Sequence, residues 1–576
     1  MKKRLLALAL AALMLFGILA ACSNETAGPS TPSDPAAPAD PAAPADPAAP
    51  TASGATRNYV APPANWDDPY SETVAMTAVS AQGTNWFFEG NDEINDNPWT
   101  RLYKEKLNIE VSFDWTSPDE YETRLNMAIA AGNLPDVYYI PNTMDPRTFN
   151  QLHDEGMLLD LTDAYENHAS DALRGFEDVD PLTIQGYRID GGLYGIPRYY
   201  YGQIDQPWHL WVRKDWYEAE GSPEIRTVDD MENLARAFMS NHGAASGIGV
   251  DSDMQWLFRT APMFGAYVGN IHENSYFWMP DSSGRLRPGI SFPEFEVALA
   301  RWADWFSEGL ISPEFPTFEP WGRAQEEINT GRLGMHAWWQ WWGWYCGYSI
   351  VGDQGNDSYF IPFNMPTLDG SGPARGQVFY PNMGVVVANS NFQNPAALLK
   401  VQSLIHTYLS TDIGLTEEEV HYFFADGREH AMTPNFHIID PTAEMVQYEH
   451  VLHALETGDR SGLFTPVMNS KFDGSMSWIN DNDPGGMGAY LQMGFDGSAY
   501  SRSQHLFDIN AIVRTSMWGL PPAEFADAGA TGDVIMEGVM AIVMGHRPVS
   551  DWPQILEQWY AQGGQIKEDA VNQYFR

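Results

Sequence analysis

The chain has 576 residues, 44% of them apolar and 13% aromatic, and carries a formal net charge of −44. Such a surface repels nucleic acid and anionic lipid headgroups, so nucleic acid is not an expected partner and a soluble monomer is. The apolar content is enough for large cores, and the length for at least two domains or lobes.

Met1-Lys-Lys-Arg is followed by an apolar run from Leu5 to Ala21 and then by Cys22. A basic start, a short apolar stretch and small residues before a cut predict an export signal over 1–21. Leu19-Ala20-Ala21-Cys22 resembles the bacterial lipobox. The resemblance implies cleavage before Cys22, a diacylglycerol on its thiol, and a palmitate-type acyl anchor on the outer face of the cytoplasmic membrane. Cys346 is the one other cysteine. With Cys22 lipidated it has no disulfide partner, and among aromatic neighbours it reads as a small buried hydrophobe. After Cys22, in the stretch to about residue 65, DPAAPA runs from Asp34, repeats from Asp40 and begins again at Asp46. That composition cannot bury enough surface to fold, so 22–65 reads as a lipidated, disordered, extended tether.

The folded part starts near Trp66. Residues 73–79 (TVAMTAV) read as a strand, and the loop after them carries Asn85 and Trp86. A helix is expected over 98–106 and an alternating strand over 108–115. Ser117 with Glu120 predicts a capping box, with Pro118 at the first helical position and Gly132 as the stop. A short strand follows at 137–140. Strands alternating with helices predict right-handed βαβ units and a largely parallel sheet. Ligands bind such sheets beyond the carboxyl ends of strands, which nominates Asn85, Trp86, Asn142 and Asp145.

AIAAGNLPDVYYI (128–140), EGMLLDLT (155–162), DGGLYGIPRY (190–199) and LWVRKDWYEAEG (210–221) follow one another closely. In order and spacing they resemble the landmarks of bacterial extracellular solute-binding protein family 1, in its large lipoprotein branch. These are receptor subunits of ABC-type importers. The resemblance implies an α/β, two-lobed periplasmic-binding-protein-like fold with a ligand cleft between lobes joined by hinge strands. The expected divisions are 66–203 with about 380–460 for lobe 1, and about 204–379 with 461–576 for lobe 2. It also implies a carbohydrate ligand, membrane permease subunits as partners, and no cofactor. The chain would cross between lobes near 199–207 and 378–383, where Arg198, Tyr199 and Tyr200 come within reach of a ligand.

Thr227 and Asp230 predict a second capping box for a helix through Phe238. Phe295, Leu299, Trp302 and Phe306 recur at helical spacing and read as core. GLISPEF (309–315) and NTGRLGM (329–335) continue the family likeness into GRLGMHAWWQWWGWYC (331–346). There Trp338, Trp339, Trp341, Trp342, Trp344 and Tyr345 put six large rings into eight residues. No single secondary structure hides them all, so some pack inside while others form an aromatic wall for the C–H faces of a sugar. The bland alternative is a Trp-rich core.

Strands are expected at 359–365 and 379–388, then a helix over 395–405. Residues 410–497 lack clean periodicity and read as loop-rich insertions, with Trp478 as a reserve ligand contact. Asn480-Asp-Asn-Asp483 resembles half a calcium loop but lacks the later Gly-x5-Glu pattern, so no metal is assigned. Helices with apolar stripes close the chain at 533–544 and 550–563, and 533–565 resembles the C-terminal helical pair of the branch.

A secreted glycoside hydrolase is the rival, since it needs only two suitably placed carboxyls among the 76 Asp and Glu residues. No zinc, nucleophile-elbow or phosphate-loop motif is present in the sequence, and no catalytic residue is assigned. A sugar-sensing input protein without a permease would share the signal and the anchor.

Overall fold

Strand and helix alternate from residue 74 and build the first sheet. The computed structural model describes residues 57 to 575 apart from short stretches, the longest being 81–87, 346–350 and 425–437. Strands Val74–Ser80 and Ile109–Thr116 run parallel, and Val137–Pro141 joins parallel on the other side. Strand Asn382–Ala388 then lies antiparallel to both Val137–Pro141 and Ile196–Tyr199, giving the order of five strands. The sheet is thus parallel only over its first three strands. The late strand is reached by a long excursion through other elements, so no crossover helix constrains its direction.

Local sequence explains most element ends. Helix Pro98–Leu107 starts at buried Asn97, whose side chain accepts from the Trp99 and Thr100 N–H groups. The box expected at Ser117 and Glu120 does not form. The helix is Tyr121–Ala131 with no side-chain cap, because the Ser117 N–H donates to the Ser80 carbonyl and prolongs the strand pair. Gly132 stops that helix at φ 64°, as read. Thr227 and Asp230 do form their box, on helix Val228–His242.

Among the described residues, buried apolar side chains fall into four clusters. The first joins the five-stranded sheet to helix Pro395–Ser410. The second surrounds an antiparallel sheet of Met335–Trp338, His209–Arg213 and Phe360–Asn364. It takes in helices Pro293–Ser307, Gly532–Val543 and Trp552–Trp559. Phe295, Leu299 and Trp302 have no exposed surface there, so that stripe is core. The third cluster holds Trp211, Trp256, Trp338, Trp342, Phe360 and Trp478. The fourth gathers Ile204 with Tyr448, Val451, Met468, Phe472 and Tyr500.

The region expected to be loop-rich is helical: Glu417–Phe424, Ala443–Thr457, Pro466–Asp481 and Pro484–Met493. Its glycines hide the pattern. A Cβ on Gly486 would lie 1.9 Å from the Gly474 carbonyl oxygen, and one on Gly488 would lie 2.4 Å from the Trp344 ring. Close backbone packing there outweighs the propensity cost of roughly 1 kcal/mol per glycine. The calcium-like run caps helices instead. Asn482 ends one at φ 52°, and the Asp483 carboxylate accepts the Gly485 N–H at 3.0 Å to start the next. No group of three metal-ligating side chains occurs among the described residues.

The chain passes between the two main sheets after Tyr199 and again between Val378 and Asn382. Ile438 packs in the first core and Tyr448 in the fourth. Helix Ala443–Thr457 buries Tyr448, Val451 and Ala454 against the later helices. No helix among the described residues is long and apolar enough to cross a membrane. Residues 1–56, with Cys22 and the tether, and Cys346 lie outside the described residues.

Gly486→Ala should force the two helices apart and cost about 1–3 kcal/mol of stability, the usual range for overpacking. Urea unfolding would show a lower midpoint, whereas a midpoint equal to that of the parent chain would refute the close approach.

Candidate functional site

Beyond the carboxyl end of Val137–Pro141 the chain turns through Asn142, Thr143, Met144 and Asp145, which form one wall of a cavity of about 590 Å³. Tyr276, Thr515, Met517, Phe525 and Lys567 line it from elsewhere, and Phe379 and Tyr380 contribute from the second passage. Tyr187 belongs to the first core and Tyr276 to the second, so the cavity draws on both. Its size suits a small organic ligand, and its lining mixes rings with amide, hydroxyl and carboxylate groups.

Asp145 is held by its neighbour. The Arg147 guanidinium donates to both carboxylate oxygens, at 3.1 and 2.8 Å, and the Arg147 N–H adds a third bond at 2.9 Å. These bonds, the guanidinium's first, keep the carboxyl below its usual range. Arg198 is half-buried on strand Ile196–Tyr199, with its guanidinium carbon 5.2 Å from the Tyr139 ring, and it does not line the cavity. Tyr199 pairs through its backbone with Asn382. Tyr200, Asn85 and Trp86 lie outside the described residues.

The Trp run leaves strand Met335–Trp338 and tightens into a 3-10 turn over Gln340–Trp344, so its rings point in several directions. Trp338 and Trp342 have no exposed surface. Both were expected as ligand contacts; in this structure they pack inside the third core cluster. Trp478 is likewise buried, edge-on to Tyr359 at 5.3 Å. Half-buried Trp339 and Trp341 lie nearly parallel, 23° and 5.9 Å apart, and Tyr345 is 57% exposed beside Trp341. All three keep part of their rings at the surface. The Arg259 guanidinium carbon lies 3.6 Å from the Trp338 ring centroid and 4.4 Å from that of Trp339, a cation–π contact that fixes both rings. His336 is buried between Trp342 at 4.3 Å and Trp256 at 4.8 Å.

Tyr276, Phe379, Tyr380, Met517, Phe525 and Lys567 escaped the sequence reading. They come from distant segments that only the tertiary fold brings together, and no local motif marks them.

The family model for bacterial extracellular solute-binding protein matches residues 91–412. The polygalacturonan/rhamnogalacturonan-binding protein YtcQ of Bacillus subtilis (strain 168) is 25% identical over 238 residues, 40% of this chain and 45% of that protein. The match to this curated relative thus spans less than half of its length. Three solved structures cover nearly the whole chain. The alginate-binding protein AlgQ2 aligns at TM-score 0.55 and 16% identity over 89% of this chain and 100% of that one. A solute-binding protein of an HMO-binding ABC transporter from Bifidobacterium longum infantis aligns at TM-score 0.58 and 16% identity, over 88% and 98%. The S. pneumoniae substrate-binding protein FusA, in complex with kestose, aligns at TM-score 0.54 and 14% identity, over 87% and 98%. These likenesses show the fold, the two-lobed α/β architecture of periplasmic binding proteins.

Burial, with Arg259 adding to it, pushes the His336 imidazole down to about 3. The unfolded chain, with histidine near 6.5, binds the extra proton between those values. The stability His336 contributes is therefore full above about pH 6.5 and lost as pH falls towards 3. His336→Phe should lose less stability than the parent chain between pH 7 and pH 5, measured by urea midpoints at both. Equal losses would mean that His336 does not carry the effect.

Proposed function

The chain belongs to the bacterial extracellular solute-binding protein family, and from that premise we propose that it captures an oligosaccharide and delivers it to the permease subunits of an ABC importer. Family membership places it outside the cytoplasm, among proteins that bind rather than transform. Cys22, acylated and cleaved at its amino side, tethers it to the outer face of the cytoplasmic membrane. The ligand enters between lobe 1, built on the five-stranded sheet, and lobe 2, built on the antiparallel sheet and the late helices. The relative named for binding polygalacturonan and rhamnogalacturonan supports a carbohydrate.

The observation that carries this reading is the cavity walled by both cores at the carboxyl end of a parallel strand. A sugar touching both walls gains contacts available only when they are close, and that extra affinity shifts a pre-existing open–closed equilibrium. Asn142 and Asp145 supply hydrogen-bonding groups from lobe 1. Tyr276, Phe379 and Phe525 offer ring surface inside the cavity, and Trp339 and Trp341, which do not line it, offer further stacking surface elsewhere on lobe 2. Hydrolysis would need two carboxyls about 5–9 Å apart. Asp145 is the only carboxylate among the described residues lining the cavity, and it is held ionised by Arg147. That favours binding without turnover.

The full chain should bind an oligosaccharide and return it unchanged after long incubation, as judged by calorimetry and mass analysis of the sugar. Asn142→Ala should weaken binding by about 1 kcal/mol, roughly fivefold. Steady release of shorter sugars would point to the hydrolase instead.

Cys22→Ser should abolish palmitate labelling and leave an uncleaved precursor or a released soluble form. A variant labelled and membrane-held like the parent would disprove the anchor.

A further inference from the structure

Lys567, on helix Gln565–Tyr574, is 1% exposed, yet no described residue gives its ammonium a hydrogen bond or an ion pair. Its nitrogen lies 5.4 Å from the Tyr276 ring centroid and 5.2 Å from that of Phe525, and all three residues line the 590 Å³ cavity. The adjacent acid does not serve it. Glu568 accepts from Arg285 at 2.6 Å and from the Tyr560 hydroxyl at 2.6 Å. Asp145, the acid that lines the cavity, is matched by Arg147.

Among the described residues the cavity therefore holds one uncompensated positive charge, in a chain whose net charge is −44. Burial pushes the Lys567 ammonium down to about 8, so it remains mostly charged at neutral pH. The two rings offset part of the desolvation through their π faces, but they accept none of its three N–H bonds. A neutral ligand closing over this group would bury it further and return only hydroxyl contacts. A carboxylate would return an ion pair in a dry site, where one is strongest.

We propose that Lys567 anchors a carboxylate on the captured sugar, so that the preferred ligand contains a uronic acid residue. This rests on the carbohydrate reading above and adds to it the charge of the ligand and the residue that reads it. The strong negative charge of the protein as a whole argues against an acidic ligand only at long range, where salt screens it. At contact, the local charge decides.

The test is calorimetry on the full chain with trimers of galacturonate, glucuronate and mannuronate and with their carboxyl-reduced, neutral counterparts. At least one uronate trimer should bind tenfold or more tightly than its neutral counterpart. Lys567→Met should lose that preference by weakening the acidic trimer tenfold or more while leaving the neutral one unchanged, and Lys567→Arg should keep it. Lys567→Met should also raise the unfolding midpoint of the free protein, because it removes an unpaired buried charge. Preference of the parent chain for neutral trimers, or equal weakening of both classes by Lys567→Met, would overturn the assignment. So would equally tight binding of a sulfated neutral trimer, which would mark a general anion site. Binding of neutral sugars alone sinks this inference but spares the carbohydrate reading. Binding of no sugar of either class sinks both. Where Lys567→Met fails to fold, the parent preference and the Arg variant decide.

Discussion

A carboxyl group whose ionised form burial disfavours sits just where the chain first passes between its two main sheets. Asp205 is 4% exposed, and it accepts the Gly202 N–H at 2.8 Å, the Gln340 amide at 3.0 Å and the Tyr500 hydroxyl. Tyr500 also lies 3.0 Å from a Glu444 carboxyl oxygen. One hydroxyl has one proton to give, so it cannot donate to two ionised carboxylates at once. Burial, reinforced by the nearby Glu444 charge, pushes the Asp205 carboxyl well above its usual range, so a further proton belongs in this cluster. The chain of bonds continues outward. Gln492 donates to Gln340 at 2.6 Å, and its own amide oxygen accepts from Lys471 at 2.5 Å and Trp344 at 3.1 Å. With its partners present, each of these groups is satisfied; with one removed, the rest are stranded in low dielectric.

The two regions of functional interest hang from that network. Gln340 and Trp344 bracket Trp341 and Trp342, so the network holds the aromatic turn at both ends while Gly488 makes room for the Trp344 ring. On the other side, Gln206 follows Asp205 and clamps the second passage. Its side chain donates to the Phe379 carbonyl at 3.2 Å and accepts the Phe379 N–H at 2.5 Å. Phe379 in turn lines the cavity. A continuous set of contacts thus runs from the Trp turn through both passages to the proposed ligand wall.

Legibility followed the range of the forces involved. Strand Val137–Pro141, the box at Thr227 and the Gly132 stop are set by neighbours a few residues away, and local pattern was enough to find them. The same pattern failed at Ser117, whose N–H goes to a strand 37 positions earlier. It failed again across the glycine-bearing helix Pro484–Met493, where packing against Gly474 and Trp344 decides the outcome. At the site, the strand-end rule reached Asn142 and Asp145 because it is a rule about topology. The direction of each ring in the Trp run was not legible, since six adjacent rings carry no periodicity that says which two turn inward. Lys567 and Tyr276 left no signal at all. A buried lysine without a partner becomes visible only when every neighbour is known.

The Trp turn also makes an optical device of the protein. Trp338 lies within 5.6 Å of Trp339, Trp341 and Trp342, centre to centre, and within 5.5 Å of Trp256. Indoles this close couple their transition dipoles and share excitation before they emit. Light absorbed by any of them therefore leaves from whichever ring has the lowest excited state, and a contact made at half-buried Trp341 is reported by rings that never meet the solvent. Emission from this cluster measures the state of the whole turn.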